Sequence, residues 1–328
     1  MELGYKLTSS ISFAYEENKS DQGRFFWAAI GDALGVPVEF KSRDYLRIQP
    51  VQSYLGYGTW NQPPGTFSDD SSMLFCTAES LCTGYDLTNI ANRFVNWYRF
   101  GYWGAHDAVF DIGNATSGAI DRLMGGTSPF RSGGMSETNN GNGSLMRILP
   151  MVFYLQFETD ITTRYELVKQ VSEITHAHFR SVMACFIYVE FGIGLLAQLD
   201  KVTAYSKMQE SVNLFISQQP FSATEISLFD RILQNNISLL HENDIRSSGY
   251  VIDTLESSLW CFLTSSSYQE CVLKAVNLGE DTDTTAAVAG GLAGIFYGYQ
   301  GIPSQWIEGI AKRDQIDDLA FRFSQRYQ

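Results

Sequence analysis

The chain has 328 residues, 45% of them hydrophobic and 14% aromatic, and its 23 basic and 36 acidic side chains give a formal charge of −13. That length admits one large domain or two ordinary ones, and the composition is globular rather than disordered. So acidic a chain lacks the basic surface that nucleic acid or anionic lipid requires; an anionic ligand would need metal ions, helix N-termini or backbone N–H groups.

In chain order, residues 1–22 ("MELGYKLTSSISFAYEENKSDQ") hold no basic region followed by an apolar run, so no secretory signal is expected. Their polar, charged second half predicts an N-terminal arm ahead of one domain over 23–328. Helical periodicity then dominates: "GRFFWAAIGDALG", "SSMLFCTAESLC", "TNIANRFVNWYRFG", "HFRSVMACFIYVEFGIGLLAQL" and "VIDTLESSLWCFLTSS" repeat apolar residues every three or four positions. No sustained alternation with hairpin signals occurs, so the expected class is all-α with minor β structure. Two stretches look like loops, Tyr54–Phe67 and Gly125–Gly143, and neither divides segments of different composition. The apolar run after Thr285 falls short of the roughly 20 residues a membrane span needs. Its Gly290, Gly291 and Gly294 each cost about 1 kcal/mol in a helix, which predicts close helix–helix approach around a buried central helix. The five cysteines are unpaired by spacing and sit in apolar stretches, which suits free thiols in a reducing, cytoplasmic compartment.

Two acidic clusters open helices. "GTFSDDSSM" sets Ser68, Asp69 and Asp70 before one apolar run; "GEDTDTT" sets Asp281, Asp283 and Thr284 before another. Either alone reads as ordinary capping. Together, facing each other, they would gather four carboxylates and two hydroxyls, hard oxygen donors that suit Mg²⁺ or Mn²⁺ and that repel one another without such ions. Spacing does not establish that they meet. "GDALGVPVEF" places Asp32 in a helix and Glu39 after the turn at Pro37, and "FDIGNAT" places Asp111 beside Gly113 and Asn114. "NNGNGSLMRILP" is a Gly/Asn loop (Gly141, Asn142, Gly143, Ser144) running into a helix from about Ser144, able to offer backbone N–H groups to phosphate but without Rossmann or Walker spacing. His176 and His178 lack a third ligand for zinc, no nucleophile elbow or Cys–His pair stands out, and Tyr250 opens a helix, as stacking or packing.

In this order the motifs "GDALGVPVEF", "GTFSDDSSM", "FDIGNAT", "GNGSLMRILP", "TH", "SGYVIDTLESSLW" and "GEDTDTTAAVAGGLAG" resemble the successive signatures of the ADP-ribosylglycohydrolase family, over about Gly23 to Gly301. The resemblance implies a single compact multi-helix domain with a central cleft holding two Mg²⁺ or Mn²⁺ ions. It assigns Ser68, Asp69, Asp70, Asp281, Asp283 and Thr284 to the metals. Asp111 and Glu39 become the catalytic carboxylates, in roles left open. Gly113, Asn114, Gly141–Ser144, His176 and Tyr250 become substrate contacts, with Asp32 and Arg147 in support. Ser68 stands where many members have threonine, and Glu280 where many have glycine. The implied activity is metal-dependent hydrolysis of ADP-ribose from modified protein side chains, arginine in preference to serine. Two other expectations stand beside it: an immunity protein whose arm occludes an ADP-ribosyltransferase toxin, and an ADP-ribose-binding module without turnover.

Overall fold

The computed structural model describes residues 24–327, so the expected arm over residues 1–22 lies outside the described residues. Within them the chain is helical, with isolated bridges at Gly134–His176 and Gly141–Tyr250 as the β-type pairings recorded. Twelve of the described helices have seven residues or more. They are α1 Phe26–Gly35, α2 Asp69–Leu81, α3 Leu87–Phe100, α4 Asn114–Met124, α5 Leu149–Leu155 and α6 Ile161–Glu173, followed by α7 Phe179–Leu196, α8 Lys201–Ser217, α9 Val251–Leu263, α10 Tyr268–Val276, α11 Thr282–Tyr297 and α12 Arg313–Ser324.

The surface helices follow their pattern. In α3 the buried residues are Leu87, Ile90, Ala91, Phe94 and Trp97, one stripe at helical spacing; Asp86 caps it by accepting from Thr88 N and Asn89 N, and Gly101 stops it at φ 67°. α7 is long and apolar enough to cross a membrane, and its packing against α5, α6, α8, α9 and α11 accounts for that composition. The helix expected from Ser144 begins instead at Leu149. Pro150, with no N–H to donate, fits the first turn of a helix, and Ser144–Ile148 before it stays a turn.

Every residue of α11 from Thr282 to Gly294 is buried. The helix packs against α1, α2, α7, α9 and α10, so up to Gly294 it has no solvent face and needs none of the amphipathic patterning of α3. Its contact with α1 is backbone on backbone. A Cβ added to Gly31 would lie 2.1 Å from Ala286 O, and one added to Gly290 would lie 2.4 Å from Trp27 O. Only glycine fits at these crossings, and the dispersion and burial gained there offset its helix cost. The free thiols Cys76, Cys185, Cys261 and Cys271 are buried and Cys82 is half-buried.

Candidate active site

The α1–α11 contact decides where the acidic groups go. Thr282 Oγ1 donates to Gly35 O at 2.8 Å, which pins the start of α11 to the end of α1. The chain leaving α1 pairs with the residues before α11: Phe40 N donates to Glu280 O at 2.7 Å and Glu280 N to Lys41 O at 2.8 Å. Glu280 has φ 62°, a left-handed conformation that glycine adopts freely, which accounts for the glycine expected there. This clamp holds Glu39 beside the mouth of α11.

The mouth of α2 is set by Asp32 of α1. Its carboxylate accepts from Ser68 N at 2.9 and 3.0 Å, Ser71 N at 3.1 Å and Ser71 Oγ at 2.5 Å. Burial raises its carboxyl to about 7 against the pull of those donors. Asp32 is a buried cap, the supporting role expected of it. Arg147 is likewise buried, bonding Val171 O and Thr175 Oγ1 and lying 4.6 Å over the Phe94 ring.

The two mouths meet. Thr284 Oγ1 donates to Asp70 Oδ1 at 3.2 Å, and oxygens of Glu39, Asp111 and Asp283 lie within 4.8 Å of one another. A cavity of about 290 Å³ opens above them, lined by Glu39, Asp69, Asp70, Asp111, Asp281 and Thr284 on its acidic side. Opposite stand Gly113, Asn114, Gly141, Asn142, Gly143 and His176. Asn142 Nδ2 bonds Asp281 Oδ2 at 2.9 Å, and Asn142 N donates to Gly249 O, which closes the Gly/Asn loop over the site.

The electrostatics are lopsided. No lysine or arginine is among the residues lining the cavity. Burial first, and then mutual repulsion, pushes Asp69, Asp70 and Asp283 well above the usual carboxylate range. Burial, the Asp111 charge and the Asp281 charge push Glu39 up to about 9, against the pull of the Trp60 indole N–H it accepts. Asp111 rises only to about 6, because hydrogen bonds from Asp283 and Glu39 offset its burial. His176 is pushed down to about 3 by burial and by Arg147, so its imidazole is neutral. Two buried oxygens, Asp70 Oδ2 and Asp281 Oδ1, have no hydrogen-bond partner. Partnerless hard oxygens at facing helix mouths fit a divalent cation.

Ser68, Asp69, Asp70, Asp281, Asp283 and Thr284 are thus brought together with Glu39 and Asp111. Ser68 is buried and its Oγ accepts from Asp70 N at 3.3 Å. Two residues sit elsewhere. Ser144 is fully buried behind the loop, bonded by Ser172 Oγ at 2.9 Å. The half-buried ring of Tyr250 is absent from the cavity wall, and its hydroxyl meets Arg180. Thr116, Met146 and Gly249 line the cavity too, each inside a motif already singled out. Trp60, the donor to Glu39, lies in the Gly/Pro-rich loop, where nothing marked it.

The family model for ADP-ribosylglycohydrolase matches residues 23–328. The ADP-ribosylarginine hydrolase Tri1 of Serratia proteamaculans (strain 568) is 32% identical over 305 residues, 91% of this chain and 77% of that one. The ADP-ribosyl-[dinitrogen reductase] glycohydrolase of Rhodospirillum rubrum is 28% identical over 317 residues, 90% of this chain and 94% of that one. A solved structure described as an ADP-ribosylglycohydrolase-related protein complex superposes with a TM-score of 0.75 at 27% identity, covering 96% of this chain and all of its own. With the matched helices, the facing acidic mouths and the ordered motifs together, the chain belongs to the ADP-ribosylglycohydrolase family.

Proposed function

We propose that the protein hydrolyses the bond joining C1″ of ADP-ribose to a modified protein side chain, arginine above all, and so reverses ADP-ribosylation. The observation that carries this is the pair of partnerless oxygens, Asp70 Oδ2 and Asp281 Oδ1, at two helix mouths opening on one cavity. Ser68, Asp69, Asp70, Asp281, Asp283 and Thr284 would hold two divalent ions, Mg²⁺ or Mn²⁺. Bound there, such ions supply the positive charge that a diphosphate sugar needs in so acidic a chain, and polarise its oxygens. Family membership and the ADP-ribosylarginine named for the relatives support arginine as the linkage.

The chain's own groups do the rest. The glycines at 141 and 143 let a ligand approach the loop backbone; a Cβ added at Gly143 would come within 2.7 Å of His176 Cε1. Asn142 holds Asp281 in place. One carboxyl of the Glu39–Asp111 pair gives a proton to the departing guanidine nitrogen as the C1″–N bond breaks. The carboxylate partner in that pair takes a proton from the water whose oxygen bonds to C1″. The products are ADP-ribose and unmodified arginine. Asp111 sits at φ 61°, a strained conformation of the kind that persists where surrounding structure imposes it at working sites.

The test is ADP-ribose release from an arginine-ADP-ribosylated protein with Mg²⁺ and with EDTA. Release that needs the metal and vanishes in Asp281→Ala is the expected result; no release with metal bound overturns the hydrolase. Toxin occlusion would fall to residues 1–22, outside the described residues. Deleting residues 1–20 decides it, since unchanged toxin binding removes the arm's role.

A further inference from the structure

Beside Glu39 and Asp111, two of the carboxylates that line the cavity, stands a row of aromatic rings that the reaction steps above do not use. Phe40 meets Trp60 edge-on with centroids 6.3 Å apart, and Trp60 meets Phe110 at 5.8 Å, so the three rings form a continuous row. Each end of the row is covalently next to a reacting carboxylate: Phe40 follows Glu39, and Phe110 precedes Asp111. The middle ring is tied to the first carboxylate, the Trp60 indole N–H donating to Glu39 Oε2.

The row is anchored from behind. Thr59 N donates to Pro37 O at 2.9 Å and Thr59 Oγ1 to Glu39 O at 2.7 Å, which fixes the Trp60 turn to the Glu39 segment. Phe40 has φ 64° and is 66% exposed, held by its N–H on Glu280 O. A large apolar ring kept in solvent, on a backbone conformation unfavourable to it, gains little from the core and awaits something planar.

We propose that the Phe40–Trp60–Phe110 row seats the arginine side chain from which ADP-ribose departs. The guanidinium and its methylene stem lie along the rings, and the Glu39 and Asp111 carboxyl groups at the row's inner edge face the N–H fork. A guanidinium stacks on aromatic faces and pairs with carboxyl groups through that fork. A serine linkage, an O-glycosidic bond to a short hydroxymethyl side chain, offers neither feature, so the row selects for the arginine linkage. Trp60 acts further as a positioning residue, because its N–H holds the Glu39 carboxyl in place beside Asp111. This inference rests on the hydrolase reading above.

The experiment compares wild type, Phe40→Ala and Trp60→Phe on ADP-ribosylated peptides joined through arginine and through serine, with Mg²⁺. Phe40 is exposed, so its variant folds; Trp60→Phe keeps a ring and loses only the donor and some area. Phe40→Ala raises KM for the arginine-linked peptide about fivefold, the scale of one exposed cation–π contact. Trp60→Phe lowers kcat about tenfold with little change in KM, as expected for one lost buried hydrogen bond. In both, the ratio of arginine-linked to serine-linked kcat/KM falls. Variants that match wild type on the arginine-linked peptide overturn the row while leaving the hydrolase intact. If wild type releases nothing, the hydrolase fails, and calorimetry still decides the row with the same peptide and free ADP-ribose. A preference for the arginine-linked peptide that Phe40→Ala abolishes upholds it; equal affinities in the two proteins overturn it.

Discussion

Asp32, Asp70 and the half-buried Asp281 are carboxylates of the same helix crossing, yet they live differently. Asp32 accepts bonds from Ser68 N, Ser71 N and Ser71 Oγ, and neither of its oxygens is wanting. Asp70 and Asp281 each keep one oxygen without a partner. A buried carboxylate saturated by backbone donors holds structure together, whereas one left open is paid for by something that binds. The distinction lies in the donors around each residue, since both kinds carry the same side chain and Asp32 and Asp70 lie at nearly the same depth.

The difference is sharpest in activity. Asp281→Ala lowers metal-dependent release about 10³-fold, the several kcal/mol expected of lost metal assistance, while its melting temperature in EDTA stays at or above that of wild type. Asp32→Ala should do the reverse at first sight. It strands the donors at the mouth of α2 and costs about 3 kcal/mol of stability by denaturant titration. A stable Asp32→Ala protein, or an Asp281→Ala protein that melts early in EDTA, would break the contrast.

A pH series sharpens it further. The folded Glu39 carboxyl lies near 9 against 4.5 in the unfolded chain, so between those values the folded state holds more protons. Stability in EDTA is therefore full below about pH 4.5 on this account and falls as pH rises toward 9. Mg²⁺ should flatten that fall, read as melting temperature against pH. The smallest effect is Asp70→Asn, which removes one repelling charge and should stabilise the EDTA form by about 1 kcal/mol while lowering Mg²⁺ affinity by calorimetry.

Much of this was legible along the chain. The stripe of α3 and its Asp86 cap follow from local rules, and the glycines of α11 foretold a close crossing. The two acidic mouths were visible as a pair because each carries hydroxyl and carboxylate at a helix start. Their meeting was not, because it depends on which helices pack together, and no local spacing encodes that. Ser144 and Tyr250 belong to the right motifs, yet one side chain turns inward to Ser172 and the other outward to Arg180. Alternation of side-chain direction within an irregular loop has no period to read. Trp60 was hidden for the same reason, a single ring in a Gly/Pro stretch whose partner is 21 positions away.

The crossing of α1 and α11 has a consequence for how the protein tolerates change. Where Gly31 meets Ala286 and Gly290 meets Trp27, two main chains touch with no side chain between them. Such a joint has no rotamers through which to yield, so repacking elsewhere in the interior passes it by. The spacing between the acidic groups it carries should then drift little among variants that differ widely in melting temperature. Metal affinity and thermal stability would vary independently, except for substitutions at the joint itself, where a single added methyl group would disturb both together.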